Sequence, residues 1–198
     1  MKKLFTVLGL VGIYAMTNLS NVSAQDKPFR IGLKIGYPQL VGLNLEYVTP
    51  LLNKKLSADL DFSYFSFNTD PAPVKYTNFA IGADYYLIGE GRGIYLGLAY
   101  GRSSFSASED VISTDPGTLG QVSTAKASVG INTFNLKIGG KHGGLFYFRW
   151  ELGYRVGPKN LDLVETATFP GGYTQTNTQS LPISGSGPIA DIGFGLAF

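Results

Sequence analysis

From residue 29 to the end, the chain alternates apolar and polar positions with period two, as strands with one apolar face do. Eight segments show the pattern. In the first, Phe29, Ile31, Leu33, Ile35 and Tyr37 oppose Arg30, Gly32, Lys34 and Gly36. The second sets Leu43, Leu45 and Tyr47 against Asn44 and Glu46, and the third Leu56 to Tyr64 against Ser57, Asp59, Asp61 and Ser63. The fourth sets Phe79, Ile81, Ala83, Tyr85 and Leu87 against Asn78, Gly82, Asp84 and Tyr86. The fifth runs from Ile94 to Tyr100 with Tyr95, Gly97, Ala99 and Gly101 opposite, and the sixth from Phe134 to Ile138 with Asn135 and Lys137 opposite. The seventh sets Phe146, Phe148, Trp150, Leu152 and Tyr154 against Arg149, Glu151, Gly153 and Arg155. The last sets Ala190, Ile192, Phe194, Leu196 and Phe198 against Asp191, Gly193 and Gly195. In the sixth segment Val129 and Ile131 share the parity of Lys137, so the pattern slips near Thr133, which a bulge or an extension beyond a bilayer explains.

The connections alternate in length. Pro50 to Lys55, Gly89 to Arg92 and Gly139 to Gly144 are short, whereas Asn68 to Lys75, Ser103 to Ser128 and Gly157 to Gly187 are longer and read as loops, the last two rich in Ser, Thr, Gly, Asn and Gln. Pro38 to Val41 is a short exception on the long-loop side. Short turns at one end and long loops at the other is the layout of a membrane barrel of the bacterial outer membrane.

The two parities say which face is inside. The polar parity carries Gly32, Gly36, Gly42, Gly82, Gly97, Gly101, Gly153, Gly193 and Gly195, residues that weaken a strand and suit a lumen only just wide enough for side chains. It also carries Arg30, Lys34, Lys137, Arg149 and Arg155 against Glu46, Asp59, Asp61, Asp84, Glu151 and Asp191. Five cations facing six anions is the near-balance that a confined interior requires, because an unpaired buried charge is costly. On the apolar parity, Tyr37, Tyr64, Tyr100 and Tyr154 lie toward the long loops, and Phe29, Tyr47, Tyr85 and Phe146 toward the short turns. Two aromatic girdles around an aliphatic band match the preference of amphipathic rings for membrane interfaces. The expected fold is therefore all-β, an eight-stranded antiparallel up-and-down transmembrane β-barrel, closed because an open sheet edge in lipid leaves backbone groups unpaired.

Ile192, Phe194, Leu196 and the terminal Phe198 form an alternating strand that ends on an aromatic residue. This ending resembles the assembly signal of bacterial outer-membrane proteins. The 25–198 stretch is similar to small eight-stranded barrels of the OmpX and OmpA-membrane-domain type, and more distantly to Bacteroidetes-type members. The resemblance implies that the barrel-assembly machinery reads the last strand during insertion.

Residues 1–24 read as a cleaved secretory signal: Lys2 and Lys3, an apolar run from Leu4 to Met16, then Val22-Ser23-Ala24. The apolar run is too short to span a bilayer as a helix. Its two lysines supply the whole formal +2, since the remaining 14 basic residues equal the 14 acidic ones. A neutral mature chain argues against nucleic-acid binding. The absence of cysteine excludes disulfide scaffolds and thiol chemistry, and one histidine excludes a multi-histidine metal site.

Candidate chemistry is sparse. His142 sits in the Gly140-Lys141-His142-Gly143-Gly144 turn with no nucleophile elbow nearby and reads as a solvated turn residue. Ser123-Thr124-Ala125-Lys126 has a Ser-x-x-Lys spacing, Asp59 and Asp61 can form a carboxylate pair, and Glu109, Asp110 and Asp115 match no calcium loop. No catalytic, cofactor-binding or metal-ligating set is expected, and the chain is not expected to be an enzyme. The expected role is structural or surface-interactive: a monomer in outer-membrane lipid, with a polar plugged lumen and an extracellular partner at the long loops. The alternatives are a narrow-channel or lateral transporter of small solutes, an outer-membrane enzyme acting on lipid or peptide, and a soluble periplasmic barrel.

Overall fold

The computed structural model describes residues 27–68, 72–112, 122–169 and 172–198. The expected leader, residues 1–24, lies outside them.

Ten strands form one antiparallel sheet: β1 (Phe29–Tyr37), β2 (Leu40–Val48), β3 (Leu56–Phe67), β4 (Val74–Tyr86), β5 (Gly93–Ile112), β6 (Val122–Gly143), β7 (Phe146–Val156), β8 (Leu161–Thr168), β9 (Thr174–Leu181) and β10 (Gly187–Ala197). Eight of them, β1 to β7 and β10, close a barrel in which each strand pairs with its chain neighbours and β10 joins β7 to β1. The seam is completed by reciprocal backbone bonds between Phe29 and Phe198, 3.1 and 2.9 Å long. With every edge paired, no backbone row faces outward unsatisfied, which a barrel in lipid requires.

The remaining two strands correct the reading of the long connections as loops. The stretch from Gly157 to Gly187 contains the β8–β9 hairpin, and β8 pairs with the upper part of β6 from Thr124–Thr168 to Val129–Leu163. The stretch from Ser103 to Ser128 is mostly strand as well, since β5 and β6 pair without a break from Gly93–Lys141 to Ile112–Val122. A sheet of β5, β6, β8 and β9 thus rises above the barrel at the loop end. Its residues carry Ser, Thr, Asn and Gln on both faces, so the apolar alternation that marks a strand in the barrel is missing, although Thr and Val still favour extended backbone.

The continuous β5–β6 register also settles the slip near Thr133 as an extension and not a bulge. Ile131 faces the same way as Thr133 and Lys137, and is buried with Leu161 and Ile189 where the barrel gives way to the raised sheet. A side chain on Gly185 would press on Ile131 and touch Leu161. Apolar residues on the inward parity thus form a collar at the mouth of the barrel. The short β1–β2 turn bends over the same mouth: Gln39 is buried there, and the Tyr76 hydroxyl donates to the Pro38 carbonyl at 2.8 Å.

The barrel is inside-out relative to a water-soluble protein. Leu33, Leu98, Leu136, Leu152 and Phe194 are each 54–59% exposed, whereas Arg149 and Lys34 are 1% exposed. No helix among the described residues is long and apolar enough to cross a membrane.

Candidate functional site: the charged lumen

The period-two alternation that turns apolar side chains outward turns the charged ones into a lumen narrow enough for residues on opposite walls to meet. All eleven of the charged residues read onto the polar parity, Arg30, Lys34, Glu46, Asp59, Asp61, Asp84, Lys137, Arg149, Glu151, Arg155 and Asp191, are buried. A twelfth, Lys141, joins them at 2% exposure and makes the interior six cations against six anions.

Lys141 corrects the reading of Gly139 to Gly144 as a turn. β6 runs on through Gly143, so Lys141 keeps the inward parity of Lys137 and stands opposite Arg149 in the β6–β7 pairing. His142 is the next strand residue, exposed and on the opposite face from the lumen. The signal is present in the sequence: Lys137, Gly139 and Lys141 continue one parity, but the four glycines at 139, 140, 143 and 144 read as the end of a strand.

At the short-turn end, Glu46 holds three groups. Arg30 approaches it at 3.3 Å, the Tyr86 hydroxyl donates to it at 2.6 Å, and Lys141 is ion-paired with it. The Lys141 ammonium also lies 5.4–5.6 Å from the ring centres of Tyr86, Tyr95 and Tyr147, an aromatic box suited to a buried cation.

Arg149 is the hub of the middle layer. It reaches Asp59 and Asp84 at 3.4 Å each and the Tyr95 hydroxyl at 3.0 Å, and it pairs with Glu151 and donates to the side-chain Oδ1 of Asn44. Lys137 reaches Asp59 and Glu151 at 3.3 Å, and Lys34 bridges Asp61 at 2.8 Å and Glu151 at 2.5 Å. Asn44 donates to Asp59 at 2.6 Å and to Asp61 at 2.8 Å. The Asp59–Asp61 pair is therefore tied to Asn44 and Lys137 instead of facing an open cleft. Charges from β1, β2, β3, β4, β6 and β7 thus meet across the lumen in two ion-paired groups, joined where Lys141 lies over the Tyr95 ring and the Tyr95 hydroxyl meets Arg149. Such a network holds the walls together only while every member keeps its partners.

Glycine supplies the room. A side-chain carbon on Gly195 would come within 2.5 Å of the Tyr147 ring, and one on Gly32 within 2.6 Å of its hydroxyl. Two glycines on neighbouring strands thus make the space that Tyr147 fills.

Toward the mouth the network thins. Arg155 lies 5.7 Å from the Tyr37 ring centre, and one oxygen of Asp191 and the amide nitrogen of Gln39 have no hydrogen-bond partner. Both Gln39 and Asp191 line a cavity of about 30 Å³.

The aromatic residues lie on the outer surface: Tyr37, Tyr64, Tyr100 and Tyr154 toward the loop end, and Phe29, Tyr47 and Tyr85 toward the short turns, with Phe146 half-buried. Phe29 packs on Tyr47 at 4.8 Å and stacks on Phe198 at 6.5 Å, and Tyr100 packs on Phe134 at 5.2 Å. Along β10, Ile192, Phe194, Leu196 and Phe198 point outward on alternate positions.

The other sequence candidates do not converge. Ser123 and Lys126 are three residues apart on one strand and so point to opposite faces. Glu109 and Asp110 are adjacent on β5 and likewise diverge, with Asp110 accepting from Thr124 at 2.8 Å, while Asp115 lies outside the described residues. Among the described residues no group of three or more acidic or histidine side chains is placed to hold a metal.

No family model and no curated protein sequence matches the chain. Among solved structures, CarO of Acinetobacter baumannii is similar at a TM-score of 0.48 and 12% identity, covering 89% of this chain and 100% of that one. A major outer membrane protein from Thermus thermophilus is similar at a TM-score of 0.47 and 9% identity, covering 86% of this chain and 98% of that one. At these scores the likeness adds nothing to what the chain's own geometry establishes.

Proposed function

We propose that the chain is an outer-membrane β-barrel protein of the small OmpX-like or OmpA-barrel kind. In this reading its lumen is plugged by the ion-pair network and its working surface is the sheet raised above the barrel at the loop end. The observation that carries the membrane reading is the inverted burial: leucines and phenylalanines ring the outside while Arg149, Lys34 and Glu151 are sealed inside. In water this arrangement exposes a continuous apolar belt far larger than the patches monomeric soluble proteins tolerate. In a bilayer it places the belt in hydrocarbon and the rings of Tyr37, Tyr64, Tyr100 and Tyr154 at one interface.

The plugged-lumen reading is supported by the cross-wall contacts of Arg149, Lys137 and Lys34, which occupy the space a solute needs. Interaction at the raised sheet is supported by its free margin. β9, Thr-Gln-Thr-Asn-Thr-Gln-Ser-Leu, is paired only with β8 and carries neither charge nor proline to blunt its outer edge. We read the chain as a binding or structural protein and not as an enzyme.

Planar-bilayer recording tests the plug. The purified protein is expected to insert without stable conductance steps, and steady single-channel currents would favour the narrow-channel alternative instead.

A further inference from the structure

We propose that the raised sheet binds a linear aliphatic dication, a molecule with an amine at each end of an apolar chain. The site is a hollow of about 410 Å³ on the face of β5, β6, β8 and β9 that continues the lumen-facing parity. The proposal rests on the reading of this sheet as the working surface and names what that surface takes.

The register lays the hollow out as a grid. Ala107, Ala127, Glu165 and Asn177 stand side by side on the four strands, and two residues along come Glu109, Ala125, Ala167 and Gln175. The row between them, which includes Ser108, Lys126 and Thr166, borders the hollow through its backbone and turns its side chains to the other face. The floor is therefore four alanine methyls, with Glu109 and Glu165 at diagonal corners. Two strand spacings across and two residues along separate these glutamates by about 12 Å between Cα atoms. Both are exposed, and no described side chain of the two rows is cationic.

These features select among cations. A metal ion needs oxygens gathered at about 2.3–2.6 Å, which carboxylates this far apart do not provide. A small monovalent amine meets one glutamate and leaves the alanine floor uncovered. A chain of about eight carbons with an amine at each end spans the diagonal, sets its methylenes on the alanines and offers the spare N–H groups of the amine at Glu165 to Asn177 and Gln175 on the neighbouring strand. The match is one of charge sign, charge spacing and apolar surface together.

Isothermal titration calorimetry on the full-length protein, folded in detergent, tests this with octane-diamine as probe and butane-diamine and butylamine as controls. Octane-diamine is expected to bind at least about fivefold more tightly than either control, the scale that one exposed ion pair and its apolar spacer supply. E109Q and E165Q are each expected to weaken it by about fivefold, and A127F, which fills the hollow, to abolish it. Heat-dependent gel migration reports separately that each variant is a folded barrel. Equal affinity for the short and long diamines, or unchanged binding in the two glutamine variants, overturns the proposal. Because barrel folding and vesicle insertion are scored apart from titration, such a result leaves the membrane reading standing, and failed insertion condemns that reading itself.

Discussion

β5 and β6 pass through two different environments on the same face. Between Gly93 and Gly101 and between Thr133 and Lys141, the inward parity carries Tyr95, Lys137 and Lys141, packed and ion-paired. Ten residues further up the same strands it carries Ala107, Ala125 and Ala127 and lines a hollow. The β5–β6 pairing and register do not change between the two regions; the other neighbour of β6, β7 below and β8 above, does, and so does closure. Below, the sheet meets itself and the inward side chains face an opposite wall about one barrel interior away, so charge must find charge. Above, the sheet ends at β9, the opposite wall is gone, and the inward face is left concave and open. Ile131, Leu161 and Ile189 mark the transition, where the walls separate.

The two regions should respond to substitution in opposite ways. Arg149→Ala removes the partner of Asp59, Asp84 and Glu151 at once, and loss of one member of a buried charge network costs about 3–5 kcal/mol. Urea unfolding in vesicles is expected to show that loss, and a wild-type midpoint would mean that the lumen charges are hydrated rather than locked together. Leu98→Arg probes the outer wall. If Leu98 faces hydrocarbon near the midplane it costs about 2–4 kcal/mol by the same assay, and close to nothing if that wall faces water. Gly195→Val pushes on both the Ile31 carbonyl and the Tyr147 ring and is expected to cost about 1–3 kcal/mol, with Tyr147→Ala in the same chain recovering only the share that the ring contributes. Thr176→Lys on β9 is expected to stay within about 0.5 kcal/mol of wild type, because both faces of that strand are open to solvent. A larger effect there would show the raised sheet to be as tightly packed as the barrel, and the contrast would fail.

What could be read from the sequence follows the same division. Inside the barrel the environments on the two faces differ sharply, so alternation marks each strand: Phe29 to Tyr37 and Phe146 to Tyr154 need no other evidence. Above the barrel both faces are wet, and Thr174 to Leu181 has no apolar parity to display, so strand and loop look alike until pairing partners are known. Lys141 was hidden for a different reason. Gly139 and Gly140 resemble turn residues, whereas here Gly139 makes room for the Tyr95 ring and Gly140 lies against Trp150. Gln39 was illegible because its burial depends on the β1–β2 turn folding over the mouth, a tertiary fact with no local signature. The joining of particular charges, Arg149 to Asp84 across the lumen above all, likewise depends on which strands stand opposite one another once the barrel closes.

If the barrel is a membrane barrel, its apolar wall faces lipid while the raised sheet stands in water. The chain has no cysteine, so single cysteines carrying a nitroxide label can be placed one at a time along β5, from Leu96 to Tyr100 and again from Ser106 to Ser108, with paramagnetic relaxation by oxygen and by a water-soluble nickel chelate measured in vesicles. Oxygen is expected to relax labels at positions 96, 98 and 100 far more than at 97 and 99, with nickel taking over at 106 and 108. Nickel access at Leu98 equal to that at Ser108, with no alternation between neighbours, would contradict it.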